Sequence, residues 1–181
     1  ASGVTPHDVA LSISEGLARN VISASFNGTT IETATPLTTD GSLVLYTWND
    51  NEGKKAFWHS TSHVMAQALE EMFPGIKLTI GPAIDNGFYY DVDFGDKRIT
   101  DADFKAIEAR VLEISKEKHE FKMRSATKAE ALELFKNDKY KTELINDLEE
   151  SALITVYSQG KFMDLCRGPH IPNTGYIKAI K

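Results

Sequence analysis

Cysteine, early basic charge and long apolar runs are all scarce in this chain, and each shortage closes off a class of protein. Cys166 is the single cysteine among 181 residues. No internal disulfide can form, so the fold rests on a packed core and a reducing compartment, the cytoplasm, is expected. No apolar stretch approaches the ~18 residues of a membrane helix, and Ala1-Ser2-Gly3 lacks the basic-then-apolar layout of a signal peptide. Lys and Arg number 20 against 26 Asp and Glu, a net charge of −6, which argues against a protein that coats nucleic acid without specificity. Neither H-E-x-x-H nor G-x4-G-K-[ST] occurs; position 60 is Ser60, so no general-base glutamate stands between His59 and His63.

What is present is an ordinary globular composition, 41% hydrophobic, 9% aromatic and 25% charged, sized for one domain or two small ones. Charge is uneven. Residues 1–53 hold Arg19 as their one base against six acids, whereas 116–141 carries eight bases against five acids, a solvated helical face or a phosphate-facing patch. Thr5-Pro6 predicts a helix start, with Val9, Ala10, Ile13 and Leu17 on one face and a stop near Asn20. Asn27-Gly28 predicts a hairpin between Val21–Phe26 and Thr29–Thr33, followed by a strand over Ser42–Thr47. The polar, aperiodic stretch 49–55 reads as a linker.

Beyond it the spacing predicts a helix from Trp58 to Phe73, with Met65, Ala68, Leu69 and Met72 on its core side and His59 and His63 nearly opposite. Strands follow at Ile76–Ile80 and Gly87–Asp93, then a helix from Thr100 or Asp101 with Phe104, Ile107, Val111 and Ile114 as its stripe. A strand at Glu120–Arg124, helical segments at Lys128–Lys136 and Thr142–Glu149, and a hairpin of Leu153–Tyr157 with Lys161–Leu165 around Gln159-Gly160 complete the chain. Strands and helices without regular βαβ alternation give the α+β class, with a central sheet and a histidine-bearing helix in the second part.

Two short motifs stand out: His59-Ser60-Thr61-Ser62-His63 and Cys166-Arg167-Gly168-Pro169-His170. Imidazoles at i and i+4 share a helix face, and Gly168-Pro169 puts the second pair on a tight loop. Taken singly, a helical histidine is commonly a satisfied polar group and a lone cysteine an apolar filler. As a set they point to one shared site, since only His7 and His119 fall outside, and the spacing alone also suits a tetrahedral zinc site. Asp164, Lys141, Tyr89, Tyr90 and Arg167 are further candidates, each with a bland alternative: an Asp164–Arg167 pair, a solvated lysine, ordinary strand packing of the aromatics.

In combination and order, His59 through His63, the run Ile80-Gly81-Pro82-Ala83-Ile84-Asp85-Asn86-Gly87-Phe88-Tyr89-Tyr90-Asp91, and Asp164-Leu165-Cys166-Arg167-Gly168-Pro169-His170-Ile171-Pro172 resemble the N-terminal region of bacterial threonyl-tRNA synthetases. The resemblance implies a small ubiquitin-like β-grasp (TGS) module over 1–48, incomplete at its N-terminus because the strand and turn before Gly3 are missing, and an editing domain over 56–181. The implied activity is hydrolysis of mischarged seryl-tRNA(Thr), needed because a threonine site cannot strongly reject a substrate lacking one methyl, worth ~1–3 kcal/mol. It further implies a catalytic set of His59, His63, Lys141, Cys166 and His170, with His59 or Lys141 acting on the water, and a substrate-binding set of Asp164, Tyr90, Gly81 and Arg167. No metal is expected to be required, zinc in the His/Cys cluster being the alternative. The expected partner is serine-charged tRNA(Thr), touched mainly by 116–141 and Arg167, with dimerisation of the whole enzyme through an aminoacylation core that this stretch lacks. The rival class is a non-catalytic RNA- or protein-binding module clipped by structural zinc.

Overall fold

The computed structural model describes residues 3–181; the expectations placed on the residues before Gly3 lie outside the described residues. Thr5 and Asp8 form a reciprocal capping box and Pro6 takes the first helical position, starting α1, Pro6–Ile13. The expected single helix to Asn20 is broken at Ser14. Its backbone is extended, and its hydroxyl accepts from Leu17 N at 3.0 Å to begin α2, Glu15–Asn20. Serine offers the backbone an alternative partner, and here that local bond outweighs the apolar periodicity. Strands β1 (Ser23–Phe26) and β2 (Thr29–Ile31) pair in the register Phe26↔Thr29, with Asn27 and Gly28 both at positive φ in the turn between them. Strand β3, Leu43–Tyr46, adds to the other edge of β1, giving the antiparallel order β2-β1-β3.

The stretch expected as a linker is mostly helix: α3 runs Asn51–Met72. Asp50 accepts from both Thr47 N and Thr47 Oγ1, at 2.7 and 3.0 Å, turning the chain out of β3 straight into α3. Asn51, Glu52 and Lys55 face solvent, so these first turns need no apolar periodicity to be helical. Gly53 lies so close to Thr47 O that a Cβ would collide with it. The two strands expected around the run 76–93 are instead four two-residue pieces: β4 (Lys77–Leu78) pairs with β7 (Val92–Asp93), and β5 (Ala83–Ile84) with β6 (Gly87–Phe88). Gly81-Pro82 interrupts the ladder between them, since proline brings no N–H.

Helix α4, Asp101–Lys116, starts at the Thr100/Asp103 capping box as expected and buries Ile107, Val111 and Ile114, while Phe104 is left exposed. A second sheet of order β10-β9-β8 follows from β8 (Lys122–Ala126), β9 (Ile154–Gln159) and β10 (Phe162–Leu165), all antiparallel. Its hairpin turn is Gly160-Lys161, one residue later than expected, with Gly160 at φ 55°. Helices α5 (Lys128–Leu134) and α6 (Lys139–Asn146) cover one face of this sheet, burying Ala131, Phe135 and Ile145 against Ala126, Ile154 and Val156. The larger core gathers α3 and α4 around Val64, Leu69, Ile107 and Ile114 with Ile22, Phe162, Ile171 and Ile177. Small sheets and interleaved helices make the architecture α+β. Among the described residues no helix is long and apolar enough to cross a membrane.

Candidate functional site

Helix α3 is buried on both sides. The histidine-bearing face, expected to lie away from the core, is covered by β9, β10 and the loop after Leu165, which leaves Ser60, Ser62, His63, Ala66 and Gln67 buried. The burial has a chemical cause: the two serines on this face are matched by hydrogen bonds rather than wetted, Ser62 to Gly81 and Ser60 to the loop after β10. Ser60 Oγ donates to Ala56 O at 2.7 Å, and its single proton is then spent, so it accepts from Ile171 N (3.0 Å) and from His170 Nδ1 (3.0 Å). His170 is therefore the Nδ1–H tautomer, with the lone pair of Nε2 turned toward Cys166 Sγ at 3.2 Å. His59 Nε2 approaches the same sulfur at 3.2 Å, and Gly168 N donates to it at 3.2 Å.

The ligand-capable atoms of His59, His63, Cys166 and His170 all lie within 4.8 Å of one another. His59 and His170 stack at 4.5 Å, and His63 meets His170 edge-on at 4.6 Å. Burial drives the imidazoles toward their neutral form. His63 and His170 titrate well below the usual histidine range because of desolvation and mutual proximity. His59 is lowered too, by burial first, with its bond to the Pro169 backbone and the charge of Asp164 pulling back. The Cys166 thiol is pushed up to about 12, chiefly by burial. A thiol with that affinity for its proton is a poor nucleophile. It is a donor, and its one proton can satisfy only one of the two Nε2 atoms beside it. Its backbone is tied as well, Cys166 O accepting from Thr155 Oγ1.

Next to the cluster is a buried ion pair. Lys141, on the first turns of α6, pairs with Asp164 of β10, and the two side chains are 5% and 4% exposed. Lys141 Nζ also donates to Thr79 O at 2.6 Å, and Tyr90 Oη donates to the other Asp164 oxygen at 2.6 Å. Burial and the Asp164 charge hold the Tyr90 phenol far above its usual range, so it stays a donor. The ring of Tyr90 lies against Gly81, where a Cβ would strike it, and Gly81 O accepts from Ser62 Oγ at 2.8 Å.

These groups line one cleft of about 630 Å3, with His59, His63, Cys166, Lys141, Asp164 and Tyr90 at its polar floor and Ile80, Leu144, Leu148 and Leu153 at its apolar mouth. Gly81, Arg167 and Gly168 edge it. His170 is fully buried behind Cys166, and Tyr89 lies outside the lining. His119 sits apart, bonded to Glu117 at 2.6 Å, and His7 is exposed. The basic stretch 116–141 is not one surface: Lys141 is in the cleft, Lys136 and Lys139 pair with Glu133 and Asp93, and Lys128 donates to Asn146 O and Leu148 O.

Residues 154–181, which include the second limb of this cluster, match a protein-family model described as the threonyl and alanyl tRNA synthetase second additional domain. The whole chain aligns with longer proteins. It is 73% identical over 180 residues to a threonine–tRNA ligase of Flavobacterium psychrophilum, 72% over 181 to that of Flavobacterium johnsoniae, and 52% over 183 to that of Parabacteroides distasonis. Its homologues are threonine–tRNA ligases. The alignments cover 99–100% of this chain and 28% of each ligase, so the chain spans little more than a quarter of the length of these relatives.

Against the ligase sequences the polar cluster sits inside the aligned stretch, along with two residues that reading the sequence did not single out. Ser60 sets the His170 tautomer. Glu32, from the loop after β2, accepts from Tyr157 Oη at 2.5 Å, and the Tyr157 ring packs on His170 at 4.7 Å. A serine between two paired histidines was visible in the sequence; nothing in it pointed from residue 32 to residue 157.

Proposed function

We propose that this chain is the editing portion of a threonyl-tRNA synthetase, a TGS-like β-grasp module over 1–48 joined through 49–55 to a deacylating domain over 56–181, which hydrolyses seryl-tRNA(Thr). The observation that carries this reading is the convergence of neutral imidazoles and a buried Asp164–Lys141–Tyr90 group on one cleft, in a chain homologous throughout to threonine–tRNA ligases. The substrate bond is an ester, more labile than an amide, so a held water, a base and a polarised carbonyl suffice. Water oxygen adds to the seryl carbonyl as its proton passes to His59 Nε2. Collapse breaks the bond to the ribose oxygen, which takes that proton back from the His59 imidazolium and leaves as the free hydroxyl, and serine departs. Lys141 supplies positive charge near the carbonyl oxygen. Asp164 and Tyr90 orient the serine ammonium and hydroxyl, and Gly81 and Arg167 bound the pocket. His63, Cys166 and His170 hold the base in place.

A zinc ion is the second reading, and the donor set fits it: three neutral imidazoles and a sulfur, with His170 Nδ1 already held by Ser60 so that Nε2 is free to ligate. Zinc would supply Lewis acidity. Four protein ligands, however, close a tetrahedral ion to water, which suits a structural role in a binding module better than hydrolysis, and this is why we propose editing without a required metal. Replacing His59 by Ala should abolish single-turnover release of serine while leaving the thermal unfolding curve in place. An unchanged rate removes His59 from the mechanism; a chain that binds tRNA but never releases serine supports the binding-module reading.

A further inference from the structure

Glu32 belongs to the first fifty residues yet ends at the wall of the histidine cluster. Its carboxylate is half-buried, and its partners are hydroxyls: Tyr157 Oη at 2.5 Å and Thr35 Oγ1 at 3.4 Å. Taking a carboxylate out of water with no cation beside it among the described residues is unfavourable, so a stability role alone is a poor reason to find one there. Tyr157, on the middle strand of the second sheet, is buried and meets the His170 ring edge-on at 4.7 Å, while Phe121 stacks on that ring at 4.5 Å. Gly168, at φ 66°, is wedged against that same contact, where a Cβ would strike both Tyr157 Oη and Glu32 Oε1. The amide of Gly168 in turn donates to Cys166 Sγ. The first module also supplies Thr30 to a second groove, shared with Lys55, Ala56, Pro82 and Pro169, that opens onto His59.

We propose that Glu32 is a positioning residue for the deacylation centre: through Tyr157 and Gly168 it fixes the Cys166–His170 loop, so that the first module is part of the editing apparatus. This rests on the reading of the cleft as an ester-hydrolysing site. The bond from Tyr157 sets the phenol, the phenol abuts the edge of the His170 ring that Ser60 and Phe121 hold on its other sides, and His170 with Gly168 fixes where Cys166 Sγ sits beside His59.

The test uses the intact chain with Glu32→Ala, Glu32→Gln, Tyr157→Phe and the double variant Glu32→Ala/Tyr157→Phe. Two readouts are taken: single-turnover release of serine from seryl-tRNA(Thr), and the ring nitrogen resonances of 15N-labelled histidines. We expect Glu32→Ala and Tyr157→Phe each to lower the saturating rate by about tenfold or more with half-saturation little changed, and to move the His170 ring signal. The double variant should be no worse than either single, and Glu32→Gln, whose amide oxygen still accepts from Tyr157, should recover most of the rate. Wild-type rate and an unmoved His170 signal in Glu32→Ala overturn the proposal while leaving the editing reading intact. So does a rate loss that follows the melting temperature and is not recovered by Gln. A wild-type chain that releases no serine overturns the editing reading instead, and the His170 signal then still decides whether Glu32 sets that ring.

Discussion

At the scale of single residues, the account turns on where protons sit. Cys166 has one to give and two imidazole nitrogens at equal distance, and His170 is buried while His59 reaches the cleft. A base that must be neutral, with its titration lowered by burial, predicts a deacylation rate that falls on the acid side with its half-maximal point below the ordinary histidine value of 6.5; a half-maximal point above that value would contradict the assignment. The same burial affects stability. His63 and His170 bind protons more readily unfolded than folded, so their contribution is complete above pH 6.5 and is lost as pH drops from there toward their folded-state values. Thermal melts across that window should show the fall, and a flat profile would not fit. Lys141→Ala strands the buried Asp164 charge and should cost about 3–5 kcal/mol by denaturant titration. Lys141→Met with Asp164→Asn should cost less, because no bare charge remains.

Elements show why part of this site was legible in the sequence and part was not. Spacing alone placed His59 and His63 on one helical face and Cys166 and His170 on one tight loop, because i, i+4 geometry and a Gly-Pro turn are local. The meeting of Lys141 with Asp164 depends on α6 crossing beside β10, which no local pattern encodes. Helix α3 differs from expectation for a related reason: its histidine face looks polar in sequence, yet Ser60 is matched by the loop after β10, Ser62 by Gly81, and His63 O by Gln159 of β9. The start of α3 was missed because its first turns are wet, and the break at Ser14 because a single side-chain bond overrode the apolar spacing. That bond gives a prediction: Ser14→Ala removes the N-cap of α2 and should lower stability by about 1 kcal/mol, read as a shift in the urea midpoint with an unchanged slope.

The whole molecule joins an acidic N-terminal unit to a second unit whose core reaches back to it through Ile22. The basic stretch 116–141, expected as a solvated helical face or a phosphate-facing patch, is divided by the fold: Lys128, Lys136, Lys139 and Lys141 bond to carbonyls or acids, while Lys116, Lys118, Lys122 and Arg124 stay exposed. Metal content is a property at this scale too: if hydrolysis needs no ion, exhaustive chelation followed by elemental analysis should leave the single-turnover rate unchanged, and stoichiometric zinc with chelator-sensitive turnover would reverse that part of the account. The most direct measurement compares the wild-type chain on tRNA(Thr) carrying serine and on tRNA(Thr) carrying threonine. If, as we propose, the cleft excludes the extra methyl, serine is released at least about tenfold faster; equal rates for the two esters, or none for either, would contradict it.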